Sequence, residues 1–219
     1  MNARMHRIEM KEEKGTPRWL EWAREIQALS QTGLHYAGDD YQRERYRRLS
    51  EIAAEIISEY TDLEYPALMR TFQAQIGYAT PRVDVRAAII QDGKLLMARE
   101  RQDGGWTMPG GWADVGDTPS AAVEREALEE TGFRVKAQRV VGIYDANRME
   151  PLELFQAYKI VFLCELLDGE ARTSNETSEI AFFALDEIPT QLSGERTRPR
   201  HILDAFAAHQ NPDFVAVFD

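Results

Sequence analysis

Residues 108–133 read Met-Pro-Gly-Gly-Trp-Ala-Asp-Val-Gly-Asp-Thr-Pro-Ser-Ala-Ala-Val-Glu-Arg-Glu-Ala-Leu-Glu-Glu-Thr-Gly-Phe. Gly110-Gly111 makes a loop whose backbone can come close to a ligand. Asp117 or Thr118 can cap a helix with Pro119 at its first position, and Gly132 ends it, so the spacing predicts a helix over Pro119–Thr131. Glu126, Glu129 and Glu130 stand at i, i+3 and i+4 and share one face near the C-terminal end. Like charges at this spacing cost roughly 0.2–0.5 kcal/mol per pair, and the helix dipole prefers cations there. Arg125 offsets only part of that cost. A hard divalent cation, which takes carboxylate oxygens, reverses its sign. A solvated acidic helix face is the alternative that the charges alone leave open.

Outward from this helix the period changes to that of strands. Val83–Ile90 reads as a strand, Gln91-Asp-Gly-Lys94 as a hairpin turn and Leu95–Glu100 as the returning strand. Further strands are expected at Arg134–Tyr144, Ala157–Leu167 and Ile180–Leu185, with a last helix at about Arg198–His209. Mixed strands with few helices predict an α+β fold, an α/β/α sandwich around a mixed sheet. Upstream, Pro17 opens a helical stripe of Trp19, Trp22, Ala23, Ile26, Leu29 and Ser30 that Gly33 closes. A second helix follows Asp39-Asp40, with Leu49, Ile52, Ala53, Ile56, Ile57 and Tyr60 as its stripe, and a third covers Pro66–Gln75. The chain thus divides into a polar, flexible N-terminus (1–16), a small all-α domain (17–80) and a larger domain (81–219). Gly77-Tyr-Ala-Thr-Pro81 forms the boundary.

The 219 residues carry 26 Lys and Arg against 37 Asp and Glu, a net charge of −11. Residues 1–80 hold 11 basic and 13 acidic side chains, and 81–219 hold 15 and 24, so the acid excess lies with the larger domain. This balance argues against a surface that blankets nucleic acid or an anionic membrane. A single cysteine, Cys164, excludes an internal disulfide, and the four histidines lack zinc-hydrolase spacing. No apolar run reaches membrane-spanning length, and the N-terminus lacks the apolar segment of a secretory signal, so a cytoplasmic protein is expected.

The stretch Gly111-x5-Asp117-x7-Arg125-Glu126-Ala127-Leu128-Glu129-Glu130-Thr131-Gly132-Phe133 resembles the signature of the Nudix hydrolases. Two positions depart from it: Asp117 stands where the family usually has Glu, and Ala127 is smaller than the usual aliphatic residue. Trp106–Trp112 before the helix and Glu179–Pro189 after it follow the same family layout. The Trp-rich first helix, the Tyr41–Tyr46 pattern and Gly77–Arg86 resemble a subgroup with a helical N-terminal extension, which includes enzymes acting on CDP-choline and ADP-ribose.

The resemblance implies a Mg²⁺-dependent attack of water on a pyrophosphate, with Mn²⁺ as an alternative ion, giving a nucleoside monophosphate and a phosphorylated product. It assigns metal binding to Glu126, Glu129, Glu130 and the carbonyl of Gly110, and it makes Arg125 the residue that orients a glutamate. Gly111, Asp117 and Gly132 are structural within the motif. The general base is a motif glutamate (Glu126 or Glu129) or an acid from the loop before the last strand, Glu176 or Glu179. Arg86, Arg99 and Arg101 are candidates for holding phosphates, with a structural ion pair the alternative for Arg86. Trp106 and Tyr78 are candidates for stacking on a base, with packing the alternative for each. The loop Asp145–Gln156 is expected to set substrate choice.

Cys164 shares its face with Tyr158, Ile160, Phe162 and Leu166, which reads as core and disfavours the cysteine-using isoprenoid isomerases of the same fold. Two other classes stay open: a non-catalytic nucleotide sensor, against which the intact glutamates speak, and an RNA-processing enzyme using Arg43, Arg45, Arg47 and Arg48. A small nucleotide substrate, no membrane partner and a homodimer built on the helical extension complete the expectations.

Overall fold

The computed structural model describes residues 16–146, 154–194 and 196–219 and divides them between two compact units. The expected flexible N-terminus and most of the Asp145–Gln156 loop therefore lie outside the described residues.

One unit is helical: α1 (Arg18–Tyr36), α2 (Asp40–Tyr60) and α3 (Tyr65–Ala74). The Asp39 carboxylate caps α2 by accepting from the Gln42 N–H at 2.8 Å. The buried face of α1 is Leu20, Ala23, Gln27 and Ser30; Ala23 and Ser30 belong to the stripe expected from sequence, whereas Trp22 and Leu29 of that stripe are exposed. The cause is close helix–helix approach. Small residues (Ser30 on α1; Ser50, Ala53 and Ala54 on α2) form the buried faces, and the Ser30 hydroxyl donates to the Tyr46 carbonyl at 2.6 Å. Gly33 belongs to that approach as well: it does not end the helix, which continues to Tyr36, and a Cβ there would overlap the Tyr46 ring.

The other unit contains β1 (Arg82–Gln91), β2 (Lys94–Glu100), β3 (Trp106–Thr107), α4 (Pro119–Thr131), β4 (Phe133–Asp145), β5 (Ala157–Gly169), β6 (Thr177–Ala184), α5 (Pro199–Gln210) and β7 (Val217–Phe218). Asp92 and Gly93 both take positive φ at the β1–β2 turn, as an Asp-Gly hairpin requires. The short β3 and β7 were absent from the sequence reading.

The sheet is mixed. β1 runs parallel to β5, β5 antiparallel to β4, and β4 parallel to β7, while β2 pairs antiparallel with β6 and β3. β1 and β2 pair only at the hairpin end, Ile90 with Leu95 and Gln91 with Lys94. Farther back, β1 takes the 109–113 loop in place of β2. Val85 donates to the Gly111 carbonyl and Ala87 to the Pro109 carbonyl, both at 2.8 Å, and Ala113 donates to Val83 at 3.0 Å. The divergence of one hairpin thus seats the Gly110-Gly111 turn inside the sheet.

Each face of the sheet is covered by one helix. Ala122, Val123 and Ala127 of α4 pack on Val85, Ala87, Ile89, Leu96 and Phe162, and Cys164 belongs to this core. Ile202, Ala205, Phe206 and Ala208 of α5 pack on Ala88, Met97, Val141 and Val161. This is the α+β sandwich expected from the strand and helix pattern. No described helix is long and apolar enough to cross a membrane.

Candidate active site

The Thr118 hydroxyl caps α4, accepting from the Ala121 N–H at 3.2 Å, and Gly132 ends the helix at φ 78° with its N–H on the Leu128 carbonyl at 2.9 Å. The helix therefore starts and stops where the motif's spacing puts it, and its last turn lies against the Gly110-Gly111 turn. Gly110 has φ 142°, and a Cβ there would overlap the Val85 carbonyl oxygen. Its N–H donates to Glu130 Oε2 at 2.9 Å. A Cβ on Gly111 would stand 3.0 Å from Glu126 Oε2. Two carboxylates thus converge on one glycine turn.

Arg125 organises the acids around it. Its guanidinium pairs with Asp117 at 3.2 Å, Asp114 at 3.2 Å, Glu126 at 2.8 Å and Glu129 at 3.2 Å. One nitrogen, Nη1, serves both Glu126 and Glu129. Asp117, with one carbon fewer than the family's usual Glu, reaches Arg125 instead of capping the helix. Glu129 is well exposed, whereas Glu130 is only 5% exposed. Burial pushes the Glu130 carboxyl up to about 7, against the opposing pull of Arg86 and the Gly110 N–H. Burial likewise raises Glu126 despite Arg125.

Glu100, at the end of β2, was missed from the sequence. It is 3% exposed, its carboxyl is raised by burial, and Arg196, Arg86 and Glu176 act on it electrostatically. Arg196 pairs with it at 3.4 Å. The available signal was its place after Leu96 and Ala98 on a two-residue period, an acid closing an apolar stripe.

The other candidates separate. Glu176 is exposed beside this group; its carbonyl accepts from the Arg101 N–H at 2.8 Å, and the next residue, Thr177, ties β6 to the Glu130 carbonyl at 2.9 Å. Glu179 instead pairs with Arg99 at 2.6 Å, and Arg99 also holds the Gly104 carbonyl at 2.9 Å. The exposed Arg101 reaches the Ser174 carbonyl at 3.4 Å. For Arg86 the structural alternative, an ion pair, is the one the structure shows. Arg86 does not face solvent to hold a phosphate: it is 3% exposed and forked onto Asp84 at 3.0 and 2.7 Å. Trp106 is partly buried on β3 and packs in a T-shaped contact with Phe183, centroids 4.9 Å apart, in line with the packing alternative. Tyr78 is exposed in the helical unit.

The opposite face of the sheet buries a second polar group. Lys159 Nζ donates to Asp84 at 2.6 Å, and burial pushes its amine down to about 8. His201 is buried beside Tyr144, and burial, reinforced by Lys159 and Arg198, holds its imidazole well below the usual histidine range. The unfolded chain therefore takes up a proton below about pH 6.5 that the folded chain refuses, and this group weakens the fold as pH falls. Glu130, with its raised value, acts oppositely over the same interval. The comparison of His201→Gln with wild type isolates the histidine: the variant's stability should gain on wild type by up to about 1.4 kcal/mol per pH unit between roughly pH 6.5 and 5. Parallel curves in urea titrations at several pH values would refute it.

Among the described residues, no three His, Cys, Asp or Glu side chains already converge into a metal cage. The donors present are nonetheless of one chemical kind, carboxylate oxygens on α4 around a glycine turn, with a cationic nitrogen bridging two of them. That set suits a hard divalent ion.

A capped helix bearing this Arg-Glu-x-x-Glu-Glu face, docked on a glycine turn in a mixed sheet, defines a Nudix domain. Residues 80–206 match the NUDIX domain family, and the chain belongs to the Nudix family. It is a Nudix pyrophosphatase, a hydrolase of phosphoric anhydrides. Residues 17–72 match a second family, described as a UDP-X-like, N-terminal oligomerisation domain. YjhB of Bacillus subtilis, named as a candidate ADP-ribose pyrophosphatase, is 34% identical over 203 residues, covering 92% of this chain and 97% of its own. A solved UDP-X diphosphatase is similar over 92% of this chain and 98% of its own, with 32% identity and a TM-score of 0.60. An ADP-ribose pyrophosphatase from Streptococcus suis covers 64% of this chain and all of its own, with 37% identity and a TM-score of 0.59.

Proposed function

We propose that the protein cleaves the diphosphate of a nucleoside diphosphate linked to a second group, of the ADP-ribose, UDP-sugar or CDP-choline kind, to a nucleoside monophosphate and a phosphorylated product. The observation that carries this reading is the convergence of Glu126 and Glu130 on the Gly110-Gly111 turn. The likeness along nearly the whole chain to proteins named for ADP-ribose and UDP-X supports the substrate class.

Glu126, Glu129, Glu130 and the Gly110 carbonyl would hold Mg²⁺ or Mn²⁺. Held there, such an ion would supply positive charge against the diphosphate and make the attacking water more acidic. Arg125 fixes Glu126 and Glu129 and keeps their charges from driving the helix face apart. Glu179 is tied to Arg99, which favours Glu176 as the base that takes the proton of the attacking water. The new bond is water oxygen to phosphorus, the bridging phosphorus–oxygen bond breaks, and the leaving phosphate carries away the electron pair. Burial of Glu130 and Glu100 excludes solvent from one side of the site.

A long nucleic acid is a poorer fit. Of the α2 arginines, Arg48 is held by Glu51 and Glu55, Arg43 faces Asp40, and Arg45 donates to Tyr41. We assign the helical unit to homodimer formation, supported by the oligomerisation family it matches and by exposed Trp22, Leu29 and Tyr36.

The test is a panel of ADP-ribose, UDP-sugars, CDP-choline, NADH, dinucleoside polyphosphates and short capped RNA, with products identified with and without Mg²⁺. Divalent-dependent release of a nucleoside monophosphate from the diphosphate conjugates is the expected result. Preferential turnover of RNA, or binding of nucleotides without turnover, would replace this reading with one of the alternatives.

A further inference from the structure

Arg86 has a more specific position than an ordinary buried ion pair. It is the β1 residue between Val85 and Ala87, whose N–H groups hold the Gly111 and Pro109 carbonyls, so its backbone lies opposite Gly110. A Cβ on Gly110 would come within 2.9 Å of the Arg86 Cα. Its guanidinium is fixed by Asp84 through Nε and Nη2, which leaves Nη1 to donate to the Met108 carbonyl at 3.3 Å and to approach the Thr107 hydroxyl at 3.5 Å. Arg86 therefore grips the loop just before Gly110 with its side chain while its strand grips both sides of Gly110 with backbone bonds. The far end of this chain is the Gly110 N–H on Glu130.

We infer that Arg86, clamped by Asp84, is a positioning residue. It sets the Met108–Gly110 turn and, through the Gly110 N–H, the orientation in which Glu130 serves as a ligand for a divalent ion. The inference rests on the reading of Glu130 as a metal ligand. Planar, two-sided recognition is what an arginine fork supplies and a lysine point charge does not. Asp84 keeps a partner when Arg86 is replaced, because Lys159 still pairs with it at 2.6 Å.

The experiment is Mn²⁺ titration of the full-length protein, followed by electron paramagnetic resonance, for wild type, Arg86→Met, Arg86→Lys, Glu130→Gln and Val141→Ala. Arg86→Met should weaken Mn²⁺ binding by about 10–100-fold, the usual effect of losing a group that orients a ligand. Arg86→Lys should recover only part of that. Adding Arg86→Met to Glu130→Gln should cost nothing further, since the two act in one chain. Val141→Ala opens the same core and should bind like wild type. Wild-type affinity in Arg86→Met while Glu130→Gln has lost the ion would overturn the positioning role and leave the metal site standing. Wild-type affinity in Glu130→Gln would overturn the metal assignment of Glu130 itself. Full recovery by lysine, or an equal loss in Val141→Ala, would reduce Arg86 to charge or general packing and end the proposal.

Discussion

Glu126→Gln should lower kcat by about 10²–10³-fold, the scale on which removing one preorganised electrostatic group acts. The fold should not weaken. Burial raises the Glu126 carboxyl even with Arg125 beside it, so the folded protein favours the neutral form that glutamine imitates. Arg125 retains Asp114, Asp117 and Glu129 as partners. Activity should therefore fall while the thermal midpoint stays level or rises, the mark of a residue kept for chemistry at some cost to stability. Steady-state kinetics and calorimetry on the same preparation check both halves. A variant that loses activity only because it melts early would contradict the account.

Asp84→Asn should do the reverse, acting first on the fold. Asp84 is 5% exposed and is the shared counter-charge of Arg86 and Lys159. Burial alone would raise its carboxyl, but the two cations hold it below the usual range. Its stabilisation is therefore present above about pH 3.9 and fades only as pH falls through the lower folded value. Breaking a buried pair of this kind costs about 3–5 kcal/mol. Lys159, already pushed down to about 8, can shed its proton once Asp84 is gone, whereas the buried Arg86 cannot. The sheet unit's thermal midpoint should fall by roughly 6–20 °C. Combining Asp84→Asn with Lys159→Met should restore part of the loss; a double variant no better than the single would show that the lysine was never stranded.

Local chemistry was legible in the sequence wherever neighbours along the chain decide it. Helix α4 begins and ends at the residues its cap, proline and terminal glycine select, and the β1–β2 hairpin forms at the Asp92-Gly93 turn. The α+β class followed from the change of period near residue 81. What escaped was set by partners distant in sequence. Asp84 stands two residues from Arg86 on the same strand, but nothing in the sequence announces that Lys159 of β5 shares its carboxylate, or that β1 exchanges β2 for the 109–113 loop. Glu100 was passed over because its burial depends on Arg196 and on packing around the end of β2. Of the α1 stripe, Ala23 and Ser30 lie on the buried face but Trp22 and Leu29 do not, because small residues let two helices approach on a face that hydrophobicity alone does not favour. Even the motif conceals a difference: three glutamates with one spacing end in different surroundings, Glu130 buried on a backbone N–H and Glu129 open to solvent.

The central claim is that the glutamates of α4 and the Gly110-Gly111 turn form a hydrolytic centre for a phosphoric anhydride. Its most direct test is turnover of ADP-ribose and a UDP-sugar in ¹⁸O-labelled water by wild type and by Glu129→Gln, with Mg²⁺ present and then chelated. The account predicts one ¹⁸O atom in a phosphate of one product, loss of turnover on chelation, and a large fall in the variant. Mg²⁺-independent turnover, or equal turnover by Glu129→Gln, would contradict it.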